Sequence, residues 1–185
     1  MHSRSVARVA LALLAVASIT LAAQGALADT GAALQRDAKA AYDRLVAKVP
    51  AAKALGKDAV AVLVFPKITK AGFVIGGQYG EGVLLKGGKA DGYYSTAGAS
   101  YGLQAGAQQY GYAMFFMNQA GLDALNKADG FEIGVGPSVV VVDEGMGKTL
   151  TTTTARDDVY AFIFGQRGLM AGVGLQGNKI TRISK

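Results

Sequence analysis

Glycine placement inside apolar, β-branched runs is the feature of this sequence that most restricts its fold. The chain carries 26 glycines, and many stand within stretches that otherwise have strand composition. Three short phrases share this pattern: GFVIG at residues 72–76, GLQAG at 102–106 and GLMAG at 168–172. Glycine inside a strand weakens it and usually marks a bulge, a bend or a close backbone approach. The phrases therefore predict a strongly curved or closed β-sheet.

The amino-terminal part of the expected domain is helical. Residues 31–49 place apolar side chains at helical spacing on one stripe, with Thr30 as a start signal and Pro50 as a stop. A second short piece ends at Gly56, which gives a helical arm over about residues 31–56. The stripe can pack on the domain's own sheet or lie in a membrane interface. Its alanines and its lack of a large aromatic side chain favour packing on the sheet.

The β-rich body extends over about residues 59–183. Most of its connections are short, such as KGGKADG at residues 86–92, and favour antiparallel hairpins. Runs such as VVVV and FIF lack alternation, so helices must cover part of both sheet faces. One helix, residues 118–127 with Asn118 as its N-cap, interrupts the strands. The predicted fold class is α+β: a strongly curved, barrel-like antiparallel β-sheet with amino-terminal helices and one inserted helix.

The first 28 residues have the composition of a cleavable signal peptide. Two arginines precede an apolar core from Val9 to Ala23, and Ala26-Leu27-Ala28 matches an A-x-A cleavage site. The core is shorter than the ~20 apolar residues of a membrane-spanning helix. We therefore expect one domain, residues 29–185, in an exported protein that is periplasmic or peripherally associated with the cell-envelope membrane.

Residue types that carry much enzyme chemistry are absent from the expected mature chain. The sequence has no Cys and no Trp, and its single His is His2, within the signal peptide. Imidazole or thiolate zinc sites and Ser-His-Asp or Cys-His nucleophiles are therefore excluded from residues 29–185. The pairs Asp143-Glu144 and Asp157-Asp158 point to opposite faces of a strand and are poor chelates, so no metal is expected. We expect a protein that is not an enzyme and has no cofactor.

The stretch VVVVDEGMGKTLTTTT, residues 139–154, contains the Gly-Lys-Thr of a phosphate-binding loop. Such a loop also needs a glycine five residues before Gly147 and a helix directly after Thr149. Val142 occupies the first place, and β-branched threonines stand where the helix would begin. The stretch is predicted to be a β-hairpin, and no nucleotide is expected. Nucleic acid is not expected either, because aromatic residues are not interleaved with the basic ones.

Positive charge is distributed unevenly along the chain. The sequence has 19 Lys and Arg against 13 Asp and Glu, and Arg4 and Arg8 belong to the signal peptide. Residues 29–90 hold ten basic and five acidic side chains, and residues 161–185 hold four basic and none acidic. This asymmetry is typical of an oriented molecule that meets an anionic surface, although the same charges can serve solubility alone.

Four lysines are the candidate ligands for an anionic phospholipid surface. Lys67 and Lys70 follow Pro66, between strands predicted at residues 59–65 and 73–79, and Lys86 and Lys89 stand at the predicted hairpin tip. Side by side they would form a cationic rim worth about 4 kcal/mol near an anionic leaflet, at ~1 kcal/mol per lysine. Since that is a weak hold, firm attachment also needs apolar insertion or a lipid pocket.

Several blocks of this sequence resemble the SYLF domain family of lipid-binding proteins. The blocks are FPKITKAGFVIGGQYGEGVLL, YGLQAGAQQYGYAMFFMN, GVGPSVVVV and VYAFIFGQRGLMAGVGLQGNKITRI. They occur in the family's order over about residues 35–183. The form is similar to the bacterial, exported, single-domain members, without the Src-homology-3 or zinc-finger domains of eukaryotic relatives.

The resemblance implies binding of acidic phospholipids, phosphoinositides in eukaryotic members, through basic residues and without known enzymatic activity. Fungal relatives are also described as actin-binding. Lys67 and Lys70 lie in the block most similar to the family pattern. One block departs from it, because many relatives have a Trp-Ser-x-Pro-like phrase where this chain reads YYSTA at residues 93–97. The alternative is a structural or interaction protein of the envelope, including a small outer-membrane β-barrel.

Overall fold

Helices lead into a mixed β-sheet in the computed structural model, which describes residues 31–127, 130–133, 138–142, 157–168, 175 and 177–185. Residues Leu34–Ser184 form one compact unit, to which the following description applies. The helices of this part are α1 (31–48), α2 (Pro50–Asp58) and α3 (Gln119–Leu125). The strands are β1 (Ala61–Lys86), β2 (Lys89–Phe116), β3 (Phe131–Glu132), β4 (Val139–Val142), β5 (Val159–Gly168) and β6 (Lys179–Ile183).

A long antiparallel hairpin, β1 with β2, is the framework of the sheet. Its register extends from Ala61 opposite Phe116 to Lys86 opposite Lys89. Gly87 and Gly88 at its tip have φ values of 56° and 76°. Positive φ at both central residues is the requirement of the tight turn that matches strand twist. The hairpin predicted at this tip is therefore confirmed.

The expected break in the sheet after Pro66 is wrong. Separate strands were predicted at residues 59–65 and 73–79, but β1 continues through both. The β1–β2 register shifts between Phe65 and Ile68, so Pro66 lies in an irregularity of the ladder. A bulge accommodates proline in a strand because its missing N–H then costs no regular ladder bond.

The hairpin curls so far that β1 folds back on itself. A Cβ atom on Gly80 would lie 2.6 Å from the Lys67 carbonyl oxygen, so only glycine allows this approach. Gly72 of β1 lies opposite Gly106 of β2 near the middle of the hairpin, and Gly106 has a φ of 136°. The sheet is a curled half-barrel, which confirms the predicted α+β class and its strong curvature.

Strand β2 is the centre of the sheet and pairs with three other strands. Its first part pairs with β6 and its last part with β5, both antiparallel, and β1 pairs along its length. The order of the remaining strands is β3-β6-β2-β5-β4. One pair, β4 with β5, is parallel, with Val139 opposite Val159. Residues 143–156 lie outside the described residues, and with them the rest of the predicted hairpin at 139–154.

Both faces of the sheet are covered, as the apolar runs predict. The inner face of the curl carries Phe65, Tyr112 and Met114 in a core cluster with α3. The outer face carries Phe115 and Phe162 in a second cluster with α1 and α2. Buried alanines and leucines of α1 belong to this second cluster, so the apolar stripe of the arm packs on the sheet. No helix in the described ranges has the length and apolar character needed to cross a bilayer.

The inserted helix α3 has the predicted cap. The Asn118 side chain accepts a hydrogen bond from the Gly121 N–H at 2.9 Å, which satisfies one of the free donors of the first turn. The Asn118 amide also donates to Asp158 at 2.6 Å. Asp158 therefore anchors α3 to the start of β5, and Asp157 accepts from the Tyr160 hydroxyl at 3.2 Å. Both acids have structural partners, whereas Asp143 and Glu144 lie outside the described residues.

Candidate functional site

A cavity of about 440 Å³ lies between α1 and the outer face of the sheet. We call it the basic groove, after the four basic residues that line it: Arg44, Lys48, Lys67 and Arg167. None of the lining residues that the structure describes is acidic. Its volume is within the range of about 300–1,000 Å³ that is typical of ligand pockets. The groove is therefore the candidate site of this protein.

Helix α1 supplies one wall of the groove. Arg44 and Lys48 are four residues apart, so their side chains lie one above the other on the same helix face. Both are exposed, whereas Leu45 between them is buried against the sheet. The helix thus presents two cations at the mouth of the groove while its apolar stripe fixes its position.

Strands β1 and β5 supply the opposite wall. Lys67 lies in the irregularity after Pro66 and is exposed, while the next side chain, Ile68, is fully buried on the inner face. Arg167 follows Gly165, whose φ of 64° is a conformation that glycine adopts without strain. The β2–β5 register shifts at this point and sets Arg167 opposite Gln109. The irregularities in two strands therefore bring two distant cations to one surface.

The interior of the groove is mainly apolar. Leu45, Val49, Pro66 and Phe164 line it beneath the basic side chains. Leu45 is buried, and the other three are half-buried. The Tyr110 hydroxyl donates to Gln78 at 2.6 Å and is thereby engaged in the protein interior. The arrangement is a cationic mouth over an apolar interior.

The charges of the groove are not neutralised locally. An ion pair of α1, Lys39 with Asp43 at 3.1 Å, lies on the exposed side of the helix and involves none of the groove cations. The four groove cations form no ion pair with any described residue. A concave surface lined by one sign of charge concentrates the field and attracts anions. The groove can therefore bind a phosphate or carboxylate group.

The four lysines predicted from the sequence do not form one site. Lys67 lies in the groove, but Lys86 and Lys89 face each other at the hairpin tip. Gly80 contacts the Lys67 backbone, and the six residues from Gly80 to Lys86 extend about 20 Å along the strand at ~3.3 Å per residue. The expected continuous rim is therefore divided into a groove cation and a separate tip pair.

Lys70 is directed away from the groove. Lys70 lies opposite Gln108 in the β1–β2 register, and only 5% of its surface is exposed to solvent. Alternation along β1 places Lys70 on the inner face with Ile68, opposite to Lys67. It forms no ion pair with a described residue. This lysine is thus an interior residue and lacks the access that a headgroup ligand needs.

The inner face also carries a buried polar cluster. In this cluster Tyr110 donates to Gln78, and the Gln78 amide donates to Asn178. Tyr112 donates to Thr96 at 2.9 Å. Burial raises the pKa of Tyr110 to about 12, against the weaker opposite effect of its hydrogen bond with Asn178. The tyrosines therefore remain neutral donors across the physiological pH range.

Three cations of the groove were not predicted from the sequence. Arg44 and Lys48 have the spacing of neighbours on a helix face, which is visible in the sequence, but nothing local indicates which strand faces them. The position of Arg167 in the groove depends on the register shift after Gly165, which is a tertiary feature.

No group of three or more acidic, His or Cys residues that would hold a metal ion occurs in the described part of the chain.

The fold and the groove define a structural class: an α+β domain in which helices cover a curled sheet and a basic groove lies between them. Residues 97–185 match the Ysc84 family, whose description is Las17-binding protein actin regulator. The Ysc84 family is the SYLF family, so the predicted resemblance is confirmed over residues 97–185. Arg167 lies within the matched residues, and the other groove cations precede them. The comparison with curated proteins gives no match.

Proposed function

We propose that this protein is a non-enzymatic lipid-binding protein that associates with anionic phospholipid headgroups at a membrane surface. The observation that carries the proposal is the basic groove, in which four cations without an ion-pair partner among the described residues surround an apolar interior. A phospholipid matches this arrangement, because its anionic headgroup can meet the cations while its acyl chains meet the apolar interior. The SYLF resemblance supports binding of this kind, because lipid or actin-related binding is what the family suggests.

Lipid is the partner that fits the rest of the sequence. The leader of residues 1–28 indicates export, and the proposed location is the periplasm or the membrane surface that faces it. The family's description names actin regulation, but actin would not be available to the exported, bacterial form of the protein that we propose. Residues 29–185 contain no His or Cys, which supports a binding role over an enzymatic one.

Stable membrane binding requires both the cations and the apolar interior of the groove. Four cations near an anionic leaflet contribute about 4 kcal/mol, at ~1 kcal/mol each. That free energy corresponds to a dissociation constant of about 1 mM, which is too weak for stable attachment. Burying methylene groups adds about 0.8 kcal/mol each. Three or four methylenes against Val49, Pro66 and Phe164 therefore bring the affinity into the micromolar range.

Co-sedimentation of residues 29–185 with lipid vesicles tests the proposal. We expect binding to vesicles that contain phosphatidylglycerol and much weaker binding to pure phosphatidylcholine vesicles. The bound fraction should fall as salt is raised, since exposed charges are screened. Equal binding to both kinds of vesicle, or none to either, would contradict the proposal and favour the alternative of a structural or interaction protein of the envelope.

A further inference from the structure

We propose that the basic groove takes up one anionic amphiphile at a time, a phosphate group joined to a single alkyl chain. This inference rests on the proposed function, since it concerns the same groove and the same headgroup charge. It differs in the mode of binding: the ligand enters the protein as a molecule and does not only meet it at a bilayer surface. Three features of the groove carry the inference.

The first feature is its size. The groove has a volume of about 440 Å³, within the range of about 300–1,000 Å³ of pockets that bind whole small molecules. A single phosphate group, with its five heavy atoms, fills only a small part of that space. The remainder needs a second portion of the ligand, or it stays filled with water against apolar walls.

The second feature is the chemistry of the walls. Gln109 is the one uncharged polar side chain among the described lining residues that is free of the inner polar cluster. The hydroxyl groups of a sugar or inositol ring would compete with the phosphate for the groove cations, and those beyond the cations would find few partners to replace water. Val49, Pro66 and Phe164 instead offer apolar contact, which favours an alkyl chain.

The third feature is the separation of charge from apolar surface. Arg44, Lys48, Lys67 and Arg167 are exposed at the mouth, whereas Ala41 and Leu45 are buried at the inner end. A ligand that places its phosphate at the mouth and its chain inward satisfies both regions at once. An arginine fork suits phosphate in particular, because it can donate two parallel hydrogen bonds.

The test uses soluble ligands in the absence of any bilayer. Isothermal titration measures binding of dodecyl phosphate, inorganic phosphate and dodecyl maltoside to residues 29–185, each below its critical micelle concentration. We expect dodecyl phosphate to bind at least about tenfold more tightly than inorganic phosphate, since two buried methylenes supply about that factor. Dodecyl maltoside, which has the chain without the charge, should bind at least about tenfold more weakly than dodecyl phosphate.

A variant that fills the groove separates chain binding from phosphate binding. Val49→Phe adds volume to a half-buried wall position, and Ala47→Phe makes the same addition at an exposed position outside the groove. We expect Val49→Phe to weaken dodecyl phosphate binding about tenfold and to leave inorganic phosphate unchanged, while Ala47→Phe leaves both unchanged. The melting temperature of each variant shows that it is folded.

Three results would overturn the inference. In the first, dodecyl phosphate and inorganic phosphate bind the unaltered protein with equal affinity. In the second, Val49→Phe and Ala47→Phe have the same affinity for dodecyl phosphate. In the third, monomeric ligands do not bind, although anionic vesicles still do. In the last case the proposed function stands and only the single-molecule mode is wrong. Loss of binding to both monomers and vesicles would overturn the two proposals together.

Discussion

Lys67 and Lys70 show how a short separation in sequence leads to two different environments. The sequence places both in one basic phrase after Pro66, and the family resemblance marks both equally. Strand geometry separates them, because side chains three positions apart point to opposite faces. Lys67 reaches the groove, and Lys70 enters the interior beside Gln108. The sequence therefore identified both lysines as candidate cations. Which of the two side chains is exposed depends on how β1 continues past Pro66.

We expect Lys70→Met to leave vesicle binding unchanged and to keep or raise stability. The lysine is 5% exposed without an ionic partner among the described residues, so its charge is costly to bury. Lys67→Met is the matched control: it should weaken vesicle binding and change the free energy of unfolding by no more than about 0.5 kcal/mol. Urea unfolding and co-sedimentation measure the two effects. Equal loss of vesicle binding in both variants would return Lys70 to the site.

The buried tyrosines predict a loss of stability at alkaline pH. Because burial raises the pKa of Tyr110 from its usual value near 10 to about 12, the unfolded chain loses the tyrosine proton first. Stability from this group is complete below pH 10 and falls as pH rises toward 12. Tyr110→Phe should make the decline of the unfolding free energy over this range less steep. Parallel declines in the variant and the unaltered protein would contradict the assignment.

At the level of elements, the glycines were the most informative residues. They predicted a curved sheet, and the turn at Gly87 and Gly88 and the cap at Asn118 follow from local rules. Two features did not follow. Pro66 was taken to end a strand, but an irregularity in the ladder accommodates it. The parallel pairing of β4 with β5 depends on a long-range contact that neither strand encodes locally.

Gly111→Ala should destabilise the fold by about 1–3 kcal/mol, the usual cost of overpacking. A Cβ atom at this position would overlap Cε2 of the Phe164 ring and would lie 2.8 Å from Cζ of that ring and 2.9 Å from the Phe65 carbonyl oxygen. Gly77→Ala is the control, because its nearest neighbour would be the Gly98 carbonyl oxygen at 4.0 Å. Urea unfolding compares the two variants. Similar unfolding free energies for the two variants would contradict this prediction, because they would show that Phe164 and the backbone at Phe65 move to accommodate a Cβ atom at position 111.

For the whole molecule, the sequence suggests the kind of site that we propose but contains only one of the four groove cations among its predicted site residues. Uneven positive charge and the SYLF-like blocks indicated an anionic lipid surface, and Lys67 was identified among the candidates. The groove itself requires α1 to lie across β1, β2 and β5, which brings Arg44 and Arg167 to one cavity. That arrangement depends on packing between segments far apart in the chain, so no local pattern reveals it.

The position of the binding charges, and not their number, is the central claim, and paired charge reversals test it directly. Lys48→Glu with Lys67→Glu alters the groove, and Lys86→Glu with Lys89→Glu alters the hairpin tip by the same net charge. In co-sedimentation with phosphatidylglycerol vesicles, the groove pair should lose at least about 2 kcal/mol, or roughly 30-fold in affinity, at ~1 kcal/mol per lysine. The tip pair should retain most of its binding. An equal or larger loss in the tip pair would contradict the assignment of the site to the groove.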